Sequence, residues 1–243
     1  MEINRVKPCQ YPLGIDGIFK EALDCVNDFI TFFQNSSKML FLYESDVQAD
    51  LLVRLKKRIP PLSFSKIEGK DVDNVYQLTL ITSEYPVGIR FDLVCINPYM
   101  VEDYVKYHAQ EKLESKINNI FWELPLLFGI EAKFSSYGTD GSRSEGIHED
   151  YKKLQNYGNH YHLKRLKERF EKSHSAQQHF NPPTVNFSKD FKFLSLGFYH
   201  KQSNFNNAKR DLLNKNLSVK SVSEINEWNC IYLVICDKIL QFK

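Results

Sequence analysis

The sequence lacks several features that would assign it to a common class at once. No apolar run approaches the roughly 18 residues that a membrane-spanning helix needs, and the first residues lack the apolar segment of a signal peptide. The five cysteines are odd in number and include no Cys-x-x-Cys pair, which argues against a disulfide framework and a zinc site. No internal repeat or low-complexity tail is present. We therefore expect a cytoplasmic protein without membrane contact, with buried free thiols at Cys95, Cys230 and Cys236.

The composition is that of one globular domain. Hydrophobic residues make up 42% of the 243 residues, enough for a full core. We expect a single domain over residues 1–243, with a helical N-terminal extension at 1–37 and the main body at 38–243.

Charge is unevenly distributed along the chain. Residues 1–150 hold 16 basic and 23 acidic side chains, whereas residues 151–243 hold 16 basic and 7 acidic ones. An acidic half for a metal and a basic half for a polyanion suit a nucleic-acid enzyme, although chance clustering of surface charge gives the same pattern.

Apolar periodicity predicts alternating helices and strands. Helical spacing is found at residues 15–34 and again at 45–59, before Pro60 and Pro61. Further helices are predicted in a polar insert at 101–119, from 148 to about 172, and at 205–217. Strands are predicted at 75–81, 89–96, 126–130, 191–199 and 230–236, with a polar loop at 62–74 and an antiparallel hairpin formed by the first two strands. The alternation predicts an α/β fold, a mixed (α+β) sheet with helices on both faces.

The stretch at residues 121–135 contains the most informative pattern. A proline precedes the apolar run 126–130, which is typical of a buried strand, and charged residues follow the run directly. Side chains alternate along a strand, so Glu131 and Lys133 share one face while Ala132 faces the other way. Charges at the end of a buried strand are costly unless they serve each other or a third group. We interpret that third group as a divalent metal with a phosphate.

Two further acids stand in apolar surroundings. Glu44 precedes Val47 and Leu51 at helical spacing, so it continues the inward stripe of the second helix. The alternative is a carboxylate favoured by the helix dipole in the first turn. Asp92 lies within the second predicted strand, where acids are disfavoured. The alternative there is a structural aspartate with a buried hydrogen-bond donor.

The Glu-x-Lys spelling alone carries little information, because it occurs three times, at Glu68, Glu114 and Glu131. The first occurrence lies in a predicted loop and the second on a predicted polar helix. Only the Glu131 triplet ends an apolar strand and follows an acid in the preceding strand. Glu131 and Lys133 are therefore candidate site residues because of their position after a buried strand, and not because of the Glu-x-Lys motif itself.

Metal-assisted hydrolysis of a phosphodiester is the chemistry that needs this set. Mg²⁺, or Mn²⁺ in its place, requires only a few carboxylates and keeps several waters. We expect Asp92 and Glu131 as direct ligands and the backbone carbonyl of Ala132 as a further one. Glu44 is expected to bind a second metal or to act through water. Lys133 can orient the attacking water or stabilise developing charge.

This residue set resembles the PD-(D/E)XK nuclease superfamily, which has the restriction-endonuclease-like fold. The resemblance rests on Asp92, on Glu131-Ala132-Lys133 after an apolar strand, on Glu44 in the opening helix, and on the helix beginning near Glu149. It implies a core of the order α-β-β-β-α-β, dependence on Mg²⁺ or Mn²⁺, and cleavage of DNA, less often RNA, by an endonuclease, with restriction or phage defence as a possible setting. Two departures are Arg90-Phe91 before the aspartate and the insert at 101–119.

Weaker candidates lie further along the chain. Asp150 and Lys153 either support the site or form an ordinary solvated pair. Contacts to nucleic acid are candidates at Arg143, Lys153, Lys164 and Arg165, although the last two belong to a stretch with interleaved acids.

Three functions remain open from the sequence. The first is a Mg²⁺-dependent DNA endonuclease, for which a homodimer is expected because two strands need two sites. The second is a non-catalytic module that binds nucleic acid or protein. The third is an enzyme directed at RNA or at another phosphate ester.

Overall fold

The computed structural model describes residues 7–8, 11–35, 41, 43–65, 75–85, 90–99, 126–136, 141–157, 191–221 and 224–236. The predicted insert at 101–119 lies outside these residues, as do Lys164 and Arg165. None of the helices within the described ranges is both long and apolar enough to cross a membrane.

Two N-terminal helices are amphipathic and pack against each other. Helix α1 spans Ile15–Asn35 and buries an almost continuous aromatic and aliphatic face that includes Phe29 and Phe33. Helix α2 spans Glu44–Arg58 and buries Val47, Leu51 and Leu55, which confirms the predicted stripe. Its first turn is capped through Asp46, whose carboxylate accepts the Tyr43 N–H at 2.9 Å. Helix α2 ends before the two prolines, because proline has no N–H to continue the ladder.

The main sheet has six strands in the order β4-β5-β6-β7-β9-β8. The first three strands are antiparallel, and the remaining neighbours are parallel, so the predicted mixed sheet is confirmed. The strands are β4 (Ile81–Thr82), β5 (Leu93–Ile96), β6 (Leu126–Ser135), β7 (Lys192–Tyr199), β8 (Val219–Ser221) and β9 (Cys230–Ile235). Strand β9 lies between β7 and β8 and is buried over Ile231–Val234, as its continuous apolar run predicted.

The predicted hairpin is only partly correct. Strand β3 (Val75–Leu78) belongs to a separate antiparallel sheet with β2 (Leu62–Ser65) and β1 (Lys7–Pro8), so the prediction of one strand over 75–81 is wrong. Only β4 pairs with β5. The chain changes sheets at Leu80, which is fully buried and accepts the Ile96 N–H at 2.9 Å. The predicted loop at 62–74 likewise contains β2, which pairs antiparallel with β3 and β1.

The second hairpin strand is shorter than predicted. It begins at Leu93, and not at residue 89, because Arg90 has a left-handed backbone with φ 54°. A β-strand cannot continue through that conformation. Asp92 therefore lies at a bend directly before β5 and is not a member of the strand.

Helices α1 and α2 pack on one face of the main sheet, and two further helices cover the opposite face. Helix α3 spans Ser144–Gln155 and begins four residues earlier than the sequence predicted, while residues 158–190 are not described. Helix α4 spans Gln202–Asn214, close to its predicted position. Together with Ile231 and Leu233 of β9, the two helices form a smaller apolar cluster around Ile147. The larger cluster contains α1, α2 and the opposite face of the sheet. The thiols of Cys25, Cys95 and Cys236 are buried, and that of Cys230 is partly exposed; all four are free.

The close approach of α3 to the sheet requires a glycine at position 197. A Cβ atom there would lie 2.8 Å from Ile147 Cδ1 and 2.8 Å from Leu233 Cδ2. We expect Gly197→Ala to lower the free energy of unfolding by about 1–3 kcal/mol, because the packed neighbours must shift. Urea denaturation measures this change. Gly141→Ala is the control, since no atom lies within 4 Å of its Cβ position. Equal stability of the two variants would contradict the packing argument.

Candidate active site

The site lies where β6 extends beyond its partner β5. The pairing of these strands ends at Leu93 and Ile130, whereas β6 continues to Ser135 alongside β7. Two carboxylates take the place of the missing strand. Asp92 Oδ2 accepts the Ala132 N–H at 2.8 Å, and Glu44 Oε2 accepts the Phe134 N–H at 3.3 Å. The two acids therefore satisfy successive backbone donors along the open side of β6.

The side chains of Glu131 and Lys133 point towards α3, as the alternation of the strand predicts. Lys133 Nζ lies 3.1 Å from Glu44 Oε1 and 3.0 Å from Asp150 Oδ2. Lys153 Nζ forms an ion pair with Glu131 and lies 3.5 Å from Asp150 Oδ1. The charges form a chain of alternating sign, Glu44–Lys133–Asp150–Lys153–Glu131. Three separate elements, α2, β6 and α3, contribute to this chain.

Glu131 is the most deeply buried acid of the group, with 1% of its surface exposed. Burial raises the pKa of Glu131 to about 9, and the neighbouring carboxylates of Asp92 and Asp150 add to this effect, while Lys153 opposes it. Neither carboxylate oxygen of Glu131 accepts a well-directed hydrogen bond from the described residues. Glu131 is thus a buried acid whose ion-pair partner in the described ranges is Lys153.

For Lys133, in contrast to Glu131, the neighbouring charges favour the ionised form. Burial alone would lower the pKa of Lys133, but the carboxylates of Asp150, Asp92 and Glu44 outweigh burial and raise it above its usual value. The side chain is therefore a fixed positive charge at neutral pH. It is held between Glu44 and Asp150 beside the Glu131 carboxyl group.

Several oxygen atoms at this edge are of the kind that could hold a divalent cation. Asp92 uses one carboxylate oxygen for the Ala132 N–H, and the buried Glu131 carboxylate is paired with Lys153. The N–H and C=O of one strand residue point to the same side, so the Ala132 carbonyl faces the Asp92 side too. Two carboxylates with a carbonyl form the kind of hard oxygen set that Mg²⁺ accepts, with water completing its coordination.

A second acidic group on α3 has another explanation. In the described ranges, one group of three His, Cys, Asp or Glu side chains has all its potential ligand atoms within 4.8 Å of one another. It consists of Glu145, His148 and Glu149. They are neighbours at helical spacing. Lys215 forms an ion pair with Glu145 and lies 3.1 Å from His148 Nδ1. This group is therefore satisfied by a lysine and contains no unexplained buried atom.

The structure brings Glu44, Asp92, Glu131, Ala132 and Lys133 together at one edge. Lys153, a candidate for nucleic-acid contact, lies on Glu131 itself. Arg143 precedes α3 with an exposed side chain and a φ of 56°, and no contact in the described ranges joins it to the acids.

Asp150 is more closely involved in the site than the sequence indicated. Its side chain is only 13% exposed, so the solvated pair that we considered with Lys153 is wrong. The signal was present, since Ile147, Asp150 and Leu154 recur at i, i+3 and i+7 and therefore share the buried stripe of α3.

Comparisons with protein-family models, with curated proteins and with solved structures find no match to this chain. The case for a function therefore depends on the chemistry of the site.

The raised pKa of Glu131 leads to a prediction for the metal-free protein. The folded state holds the Glu131 proton up to about pH 9, whereas the unfolded state releases it near pH 4.5. Between these values the folded state binds more protons, so the Glu131 contribution to stability decreases as the pH rises. We expect Glu131→Gln, which stays neutral, to become progressively more stable than the wild type across this window. Urea denaturation in EDTA at several pH values measures the difference, and a difference that does not change with pH would refute the assignment.

Proposed function

We propose that this protein is a Mg²⁺-dependent nuclease that hydrolyses phosphodiester bonds, with DNA as its substrate. The observation that carries the proposal is the pair of buried carboxylates, Asp92 and Glu131, beside a permanently charged lysine at the open edge of β6. Asp92 accepts the Ala132 N–H, and Glu131 is 1% exposed with Lys153 as its ion-pair partner among the described residues.

The order of the elements supports the same proposal. When β2 and β3 of the separate sheet are left out, the order α2, β4, β5, β6, α3, β7 is compatible with the order α-β-β-β-α-β that the resemblance implies. The three antiparallel strands are followed by a helix and a parallel strand next to β6.

Each residue has a distinct role in the proposed reaction. Asp92, Glu131 and the Ala132 carbonyl would hold the cation, which supplies a Lewis acid and lowers the pKa of bound water. Lys133 donates hydrogen bonds to the phosphate oxygens, where negative charge develops during attack. Its two carboxylate partners fix its position. Glu44 in this arrangement is a positioning residue, because its oxygens already bind Lys133 and the Phe134 N–H.

We expect Asp92→Asn, Glu131→Gln and Lys133→Met each to lower metal-dependent cleavage by about 10²-fold or more, because each removes a ligand or a charge-stabilising donor. A panel of double-stranded DNA, single-stranded DNA and RNA, with Mg²⁺ and Mn²⁺, measures the rates and separates DNA from RNA as substrate.

Glu149→Gln is the matched control for these variants, because Glu149 is an exposed acid on α3 that pairs only with its helix neighbours. It should cleave at the wild-type rate, and all variants should retain a cooperative unfolding transition. Full activity in the three site variants would overturn the proposal. Binding of nucleic acid without cleavage by the wild type would favour the non-catalytic module instead, which the complete internal pairing of the charge chain also permits.

A further inference from the structure

Lys153 lies directly on the carboxylate that the proposed function assigns to the metal. Its ammonium contacts Glu131, lies 3.3 Å from the Arg90 carbonyl oxygen and 3.5 Å from Asp150 Oδ1. It also lies 5.4 Å from the centre of the Phe91 ring, within the range of a cation–π contact. Groups from α3, β6 and the bend before β5 therefore converge on this one positive charge.

The two lysines of the site are placed differently. Lys133 binds Glu44 and Asp150, so it stands beside Glu131 without contacting it through an ion pair. Lys153 binds Glu131 itself. The Lys153 side chain is 28% exposed, and its hydrogen bond to the Arg90 carbonyl oxygen lies at the surface. Of these two cations, Lys153 is the one whose position conflicts with a metal on Glu131.

We propose that Lys153 is an internal counter-cation that occupies Glu131 in the metal-free protein and that a divalent cation must displace. This inference rests on the proposed function, because it takes Glu131 as a metal ligand. Two positive charges cannot share one buried carboxylate without strong repulsion, since Coulomb energies are large where water is excluded. The lysine stabilises the empty site and makes metal binding weaker than the acids alone would allow. The site is therefore filled only when the concentration of free cation is high.

The first experiment measures Mg²⁺ affinity by isothermal titration calorimetry at one fixed alkaline pH that is the same for every variant. We expect Lys153→Met to lower the Kd by about ten-fold, the factor expected from removing one competing charge-assisted hydrogen bond. Lys152→Met is the matched control, because it removes the same charge from the neighbouring position. Lys152 pairs with Glu149 at 3.2 Å and is 49% exposed, so its replacement should leave the Kd unchanged.

The outcomes separate the inference from the function. If the wild type binds Mg²⁺ and Lys153→Met binds it equally or more weakly, the counter-cation role is wrong and the nuclease proposal stands. A Kd lowered equally by Lys152→Met would also overturn the inference, because it would show a general charge effect. Binding by Lys153→Met alone would support it in its strongest form. If neither protein binds Mg²⁺, both proposals fail.

A second experiment needs no metal. In EDTA at the same pH, we expect Lys153→Met to lower the melting temperature, because the Glu131 charge loses its partner. The double variant Glu131→Gln/Lys153→Met should recover most of that loss, since the neutral amide needs no counter-cation. Lys153→Gln repeats both experiments with a neutral donor that keeps a hydrogen bond, in case the methionine variant does not fold. Equal loss in the single and double variants would show that Lys153 acts on something other than Glu131.

Discussion

The burial of the Glu131 carboxyl group is the constraint on which the site depends. A carboxylate with 1% exposure is costly, and its cost is limited only by a retained proton or by a nearby cation. Burial raises its pKa to about 9, and an ammonium lies on the carboxylate. The negative charges of Asp92 and Asp150 make ionisation of Glu131 less favourable, and the positive charge of Lys153 makes it more favourable. A divalent metal would stabilise the ionised carboxylate further.

The open edge of β6 explains why so many acids converge. Beyond Ile130 the strand has lost β5 as a partner, and its backbone N–H groups need acceptors. Asp92 and Glu44 supply them, and in doing so they are held at fixed positions without competing for each other's donors. The same lack of a strand leaves the Ala132 carbonyl on that side. The absence of a neighbouring strand beyond Ile130 therefore leaves backbone groups of β6 to bind these carboxylates. It also leaves space beside the strand for the charged side chains.

The charge chain has a consequence for how the metal-free protein behaves. Two lysines alternate with three acids across α2, β6 and α3, so these charges link the first helix of the body to the helix that follows β6. Such buried pairs contribute little net stability, because desolvation offsets most of the attraction. They hold Lys133 between Glu44 and Asp150, while Lys153 is the ion-pair partner of Glu131. That difference between the two lysines cannot be read from their spacing.

The sequence alone determined the mixed α/β class, the buried strand that begins at residue 126 and the candidacy of Glu44, Asp92, Glu131 and Lys133. Strand alternation and helical periodicity are local properties, so the sequence is enough to reveal them. It also contained the helical spacing that places Asp150 on the buried stripe of α3. Only the tertiary structure decided that residues 75–78 join a separate sheet, that Asp92 lies before its strand, and that Lys153 contacts Glu131. Strand pairing and ion pairing join residues distant in the chain, and several partners were equally compatible with the local pattern. The choice among them was made by packing and by the cost of leaving a buried charge without a partner.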